Sequence, residues 1–144
     1  MPVTVHDGRL DILARNKLAA ELLPPVDRTG PFARNLAYQA FATPALTDLL
    51  GHAAEQFLRV AAAELRTALG RYPEDGYLRG LRAELAANSA TFRDYWDRGE
   101  VITSRSATKQ LHHPTYGRVG FDIELLHDPE RDHWVMLYTP RDEA

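Results

Sequence analysis

The apolar residues of this chain repeat at every second position near both ends and at three- to four-residue spacing in between. A period of two marks a strand with one buried face, whereas helical spacing marks an amphipathic helix. Strands, then helices, then strands again point to an α+β domain with an antiparallel sheet, because parallel strands would need a crossover between each pair. At the N-terminal end Val3-Thr4-Val5-His6 alternates, Asp7-Gly8 supplies a hairpin turn, and Arg9 to Ala14 reads as the returning strand. After Gly99 the alternation resumes. Val101 to Leu111 reads as a strand, His113 to Gly117 as a turn, and Val119, Phe121, Ile123 and Leu125 as one face of the next strand. Asp128 to Asp132 then turns the chain into a last strand, His133 to Thr139. The expectation is about five antiparallel strands with the helices on one face.

The middle carries its own start and stop signals. Asn16 can cap a helix in which Leu18 and Leu22 share a face, and Pro24-Pro25 stops it. Phe32, Leu36, Ala40 and Phe41 sit at helical spacing before Pro44. From His52 to Leu69 a long stripe of Ala54, Phe57, Leu58, Ala61, Leu65, Ala68 and Leu69 faces one way, and Gly70 follows as a stop. Asp75 to Ala87 repeats the pattern with Leu78, Leu81 and Leu85. Ser89 can cap a further helix holding Phe92, Tyr95 and Trp96.

Composition narrows the function classes. A length of 144 residues suits one domain, expected to span residues 1–144. The net charge is -3, with 17 basic and 20 acidic residues intermixed, so no basic stripe is offered to nucleic acid. The chain has no cysteine, which excludes disulfides, thiol catalysis and thiolate metal sites. No apolar run is long enough to span a bilayer and the first residues lack a secretory signal, so a cytoplasmic location is expected.

Few residues suggest chemistry. The adjacent His112 and His113 would point to opposite faces of an extended segment, and no paired metal-ligand spacing accompanies them. Ser104 and Ser106 lack a nucleophile elbow. Asp122 and Glu124 share a sheet face, as a carboxylate pair or simply as a solvated surface. No catalytic group, cofactor or metal is therefore expected, and no enzyme. Arg34-Asn35 stands out at the start of an apolar helix. It reads either as a cap beside a surface arginine or as an anchor for a carboxylate. Phe41, Phe57, Phe92, Trp96 and Phe121 read as core or as the wall of a pocket.

Taken in order, these segments resemble the MmyB-like transcription-regulator ligand-binding domain over nearly the whole chain, Val3 to Thr139. The likeness rests on Asp11-Ile12-Leu13-Ala14 with Asn16, and on Arg34-Asn35-Leu36 followed by Phe41 and Pro44. It continues through the Ala-rich helix with Tyr72-Pro73, Phe92 with Trp96, and Val101. Thr108-Lys109, His113-Pro114 with Gly117, and Tyr138-Thr139 complete it. The chain departs from the family at Gly99, where a histidine is usual, and at Ala107, where a glycine is usual. The resemblance implies a PAS-like fold and a sensor for a small apolar ligand such as a long-chain fatty acid. It implies Arg34, Asn35, Phe41, Phe57, Phe92, Trp96 and Phe121 as candidate ligand-binding residues. It further implies a DNA-binding helix-turn-helix domain elsewhere in the regulator, expected to be absent from this chain, which starts directly at the first strand. The alternative is a ligand-free PAS-like dimerisation module, with a second copy of the chain as partner.

The charge pattern makes a first prediction. At physiological salt this chain alone should give no sequence-specific complex with duplex DNA in a gel shift, and a specific band would refute that reading.

Overall fold

A computed structural model describes residues 1–23, 29–102 and 107–141, with backbone alone at 107–109. Five strands form one antiparallel sheet: β1 Val3–Asp7, β2 Ile12–Arg15, β3 Ala107–His113, β4 Gly117–Asp128 and β5 His133–Pro140. Their order across the sheet is β2-β1-β5-β4-β3, so the first and last strands meet in the middle. Among the described residues six helices run between β2 and β3: α1 Lys17–Leu22, α2 Leu36–Ala42, α3 Pro44–Leu50, α4 Ala54–Arg71, α5 Gly76–Asn88 and α6 Ala90–Arg98. A 3-10 turn, Gly51–Ala53, joins α3 to α4. The domain is α+β with its helices on one face of the sheet, as the periodicity requires. No helix among the described residues is long and apolar enough to cross a membrane.

The expected caps close the helices. The side chains of Asn16, Asp75 and Ser89 accept from the backbone N–H groups of Ala19, Leu78 and Phe92. Gly99 ends α6 in the left-handed conformation that favours glycine. The proline stop at Pro24-Pro25 lies outside the described residues. Pro44 does more than end α2, because it occupies the first turn of α3, where its missing N–H costs nothing.

Gly70, expected to stop the long helix, lies inside α4, which ends at Arg71, and three further boundaries differ from the sequence reading, each through a long-range contact. The second strand starts at Ile12 rather than Arg9. Leu10 leaves the hairpin with a φ of 72°, an uncommon conformation for leucine, and buries its side chain among the helices. Phe32 precedes α2 rather than joining it, because Asn35 sets the helix start. Val101, expected in a strand, is 85% exposed and in no strand. Glu100 beside it is held back toward the helices by Arg59 at 2.7 Å, and the described part of β3 runs Ala107–His113. Ser104 and Ser106 lie outside the described residues.

The interior divides into two apolar clusters. The helical one joins Leu10 to Ala37, Leu65, Leu78, Leu81, Leu85 and Phe92, with Phe41 and Trp96 packed against it. The sheet-facing one joins Leu22, Leu49 and Leu50 to Leu111, Phe121, Ile123 and Tyr138, with Phe57 and Met136 against it.

Asn35 ties the sheet to the helices. Its side-chain oxygen accepts from Ala37 N–H at 2.9 Å and Tyr38 N–H at 3.2 Å. Its amide donates to the Arg9 carbonyl at 2.8 Å and to Asp11 Oδ1 at 3.0 Å. Both donors and both acceptor sites are thus used at full burial. Asn35→Ala should destabilise the domain by about 2–4 kcal/mol, because a cap is lost and buried partners are left unpaired. The exposed neighbour Arg34→Ala should cost less than about 0.5 kcal/mol. Urea melts of the two variants check this, and similar losses at both positions would overturn it.

Candidate ligand site

Strand register defines the inner face of the sheet. Residues paired across strands share a face, so Thr4 opposite Met136 and His6 opposite Trp134 lie on the same side. Leu125 opposite Met136 and Ile123 opposite Tyr138 continue that side onto β4. Leu111 opposite Val119 extends it to β3. This is the side that carries the sheet-facing cluster, under α1, α3 and the first turn of α4. Toward β3 the face is closed, with Leu111, Phe121, Ile123 and Tyr138 buried. Toward the β4–β5 turn it is more open, and Leu125, Trp134 and Met136 are half-buried.

Polar atoms are set into this apolar face. Thr4 and His6 are both 4% exposed. His6 Nδ1 has no hydrogen-bond partner among the described residues, and neither does the buried hydroxyl of Thr43 between α2 and α3. A buried polar atom without a partner carries a desolvation cost that a ligand or an ordered water can relieve. Burial lowers the His6 pKa to about 4, against a partial attraction from Asp132, so the ring is neutral at pH 7. Tyr138 is pushed up by burial, with an opposing hydrogen bond from Thr4.

One end of the face is fastened by Asp132. Its carboxylate accepts from Tyr72 Oη at 2.6 Å and lies 3.1 Å from Arg71, both at the end of α4. It also meets His127 Nε2 at 2.8 Å, and the His127 ring stacks on Trp134 with centroids 3.9 Å apart. Burial raises the Asp132 pKa, but the bonds from Tyr72 and His127 and the Arg71 charge outweigh it and hold the group below its usual range. Gly8 is required here, because a Cβ at that position would collide with the Asp132 carboxylate.

The seven candidate residues fall into three places. Phe57 and Phe121 belong to the sheet-facing cluster. Phe41, Phe92 and Trp96 belong to the helical cluster, where Phe92 meets Phe41 at 5.3 Å and Trp96 at 5.5 Å between centroids. Arg34 and Asn35 stand at the start of α2. There the exposed Arg34 and Arg15 line a groove of about 360 Å³ together with Ile12, Leu13, Ala33 and Gln39. Sequence reasoning passed over Thr4, His6, Trp134 and Met136. Their alternation was visible, but it marks two faces without saying which is inner.

Other candidates resolve simply. Asp122 and Glu124 are exposed on the outer face, and Asp122 lies 3.6 Å from Arg141. His113 Nδ1 accepts from the Thr115 and Tyr116 N–H groups, which leaves Nε2–H to donate to the Glu21 carbonyl at 3.2 Å. Among the described residues no three of His, Asp and Glu gather as a metal site would require.

His6 makes the stability of this face depend on pH. Its folded pKa lies below the unfolded value of 6.5, so the unfolded chain takes up the proton first. The contribution is present above pH 6.5, is lost as the pH falls toward about 4, and is constant below that. The total is about 3 kcal/mol. In urea melts between pH 7.5 and 4, wild type should lose about 3 kcal/mol more stability than His6→Gln as the pH falls. Parallel curves would show that His6 titrates normally.

Among curated proteins none matches the chain. The family model of the MmyB-like transcription regulator ligand binding domain matches residues 1–144, from the first residue of the chain to the last. The chain therefore belongs to that family, as a ligand-binding domain of a transcription regulator.

Proposed function

We propose that the domain senses a small apolar ligand of the long-chain fatty acid class, held between the inner sheet face and the helices. The observation that supports this most is the half-covered apolar stretch of Leu125, Trp134 and Met136, which continues into the buried Phe121 and Ile123 with Phe57 packed against them. A chain laid along it would exclude water from both. Each buried methylene contributes about 0.8 kcal/mol, so about a dozen supply on the order of 10 kcal/mol before costs. Micromolar binding needs about 8 kcal/mol, within reach after ordering costs if a polar head group adds a contact.

The head group would meet Arg34, with Arg15 beside it in the same groove. Ile12 belongs to this groove and also pairs with His6, so the groove borders the inner face. The Asn35 amide is fully occupied, and its part is to fix the backbone that carries Arg34. Phe41, Phe92 and Trp96 support the helices behind the ligand. Ligand occupancy would act on a DNA-binding helix-turn-helix domain elsewhere in the regulator by favouring one of two conformations.

One observation favours the second reading, a dimerisation module. The outer sheet face carries Val3, Val5, Val135 and Leu137, all half-buried, and Leu126 at 54% exposure. A second copy could cover that face without any ligand.

The test is calorimetric titration of myristate and of myristyl alcohol into wild type, Arg34→Ala and Met136→Arg. Met136→Arg should weaken both ligands at least tenfold by filling the inner face. Arg34→Ala should weaken the acid by about 1.5–3 kcal/mol, the range of a charge-assisted hydrogen bond, and spare the alcohol. Equal losses for acid and alcohol at Arg34 would remove it as the anchor. Absence of binding by either ligand, with a dimer in native mass spectrometry, would favour the module.

A further inference from the structure

Two arginines close on one tryptophan on the helical side of the domain, and a third lines the groove beside them. Arg66 comes from α4, Arg79 and Arg82 from α5, and Trp96 from α6. With Leu69 and Pro73 they line a surface groove of about 360 Å³. The guanidinium carbons of Arg66 and Arg82 lie over the same indole ring, 4.4 Å and 4.7 Å from its centroid. Arg66 also donates to the Trp96 backbone carbonyl. The ring and that carbonyl therefore hold two like charges in one small region.

Carboxylates do little to offset that charge. None of the ion pairs among the described residues involves Arg66 or Arg82. Arg79 has Glu74 at 3.7 Å, but both side chains are more than half exposed and such a pair is weak. Arg79 and Arg82 are three residues apart on α5, where like charges repel. Cation–π contact holds both guanidinium groups at the ring, and each guanidinium carries five N–H donors, more than these contacts use. A planar guanidinium matches the oxygens of a phosphate or carboxylate two at a time.

We infer that this groove is a second site, for a small multiply charged oxyanion such as a phosphate monoester. It is separate from the inner sheet face and takes the opposite kind of ligand. A small anion fits better than a nucleic acid backbone. The charge is confined to one groove with Glu74 at its edge, on a chain of net charge -3. The apolar floor of Leu69 and Pro73 leaves room for a compact organic body beside the charged group.

The probe is inorganic phosphate, exchanged against chloride at constant ionic strength and pH 7.5. Trp96 and Trp134 are the only tryptophans, so Trp134→Phe isolates the emission of Trp96. Phosphate should change that emission saturably, and Arg82→Gln on the same background should weaken the effect at least tenfold. Calorimetry of phosphate into the otherwise unaltered chain and into Arg82→Gln gives the same comparison should Trp134→Phe fold poorly. A response that chloride reproduces, or one that Arg82→Gln leaves unchanged, would overturn the assignment. So would mixed-sequence duplex DNA that displaces phosphate at lower concentration, since the groove would then be a backbone contact.

Discussion

The side chain of Asn35 is the joint on which this fold depends. Two helix N–H groups, one loop carbonyl and one carboxylate converge on a single buried amide. Around it the β1–β2 loop is bound on every side. Asp7 accepts from Arg9 and Asp11 N–H groups, and Ile12 and Leu36 donate backbone bonds to Arg34 and Leu10. Tyr77 donates to Asp11 at 2.6 Å, and Arg9 pairs with Asp75 at 2.6 Å. The loop carries the left-handed Leu10 into the helical core, and that burial offsets the backbone cost. Remove this joint and the sheet and the helical layer lose their main polar connection at that end.

Asp132 provides a second joint, connecting the β4–β5 turn to the end of α4. Both joints lie at the same end of the sheet, where Asp7 pairs with His133 and Gly8 meets Asp132, and the inner face with its buried Thr4 and His6 runs away from them. The helices close on this face near β3, and less so near Trp134 and Met136. A ligand-binding domain is served by such an arrangement, with one end of the sheet fastened to the helices and apolar surface beside it incompletely covered.

The groove at Arg34 and the groove at Trp96 are chemically unlike. At Arg15 and Arg34 a pair of cations borders apolar strand residues. At Arg66 and Arg82 two cations share an aromatic ring, away from the sheet. Trp96 thus packs one part of its ring against Phe92 and the helical core and offers another to the arginines. An aromatic at helical spacing reads as core from sequence, and here it is also the platform for charge.

What the sequence determined by itself is what short-range physics controls. The period of the apolar residues fixed element type, and Asn16, Asp75 and Ser89 marked helix starts because capping involves neighbours only three residues apart. The likeness of ordered motifs reached the family for the same reason. Tertiary structure decided everything that needs distant partners. It placed β1 beside β5 and turned Thr4 and His6, rather than Val3 and Val5, toward the interior. It separated Phe57 and Phe121 from Phe41, Phe92 and Trp96 into different cores. It also consumed the Asn35 amide through Arg9 and Asp11, residues more than twenty positions away. Periodicity gives a strand two faces, and only its partners across the fold choose the one that is buried.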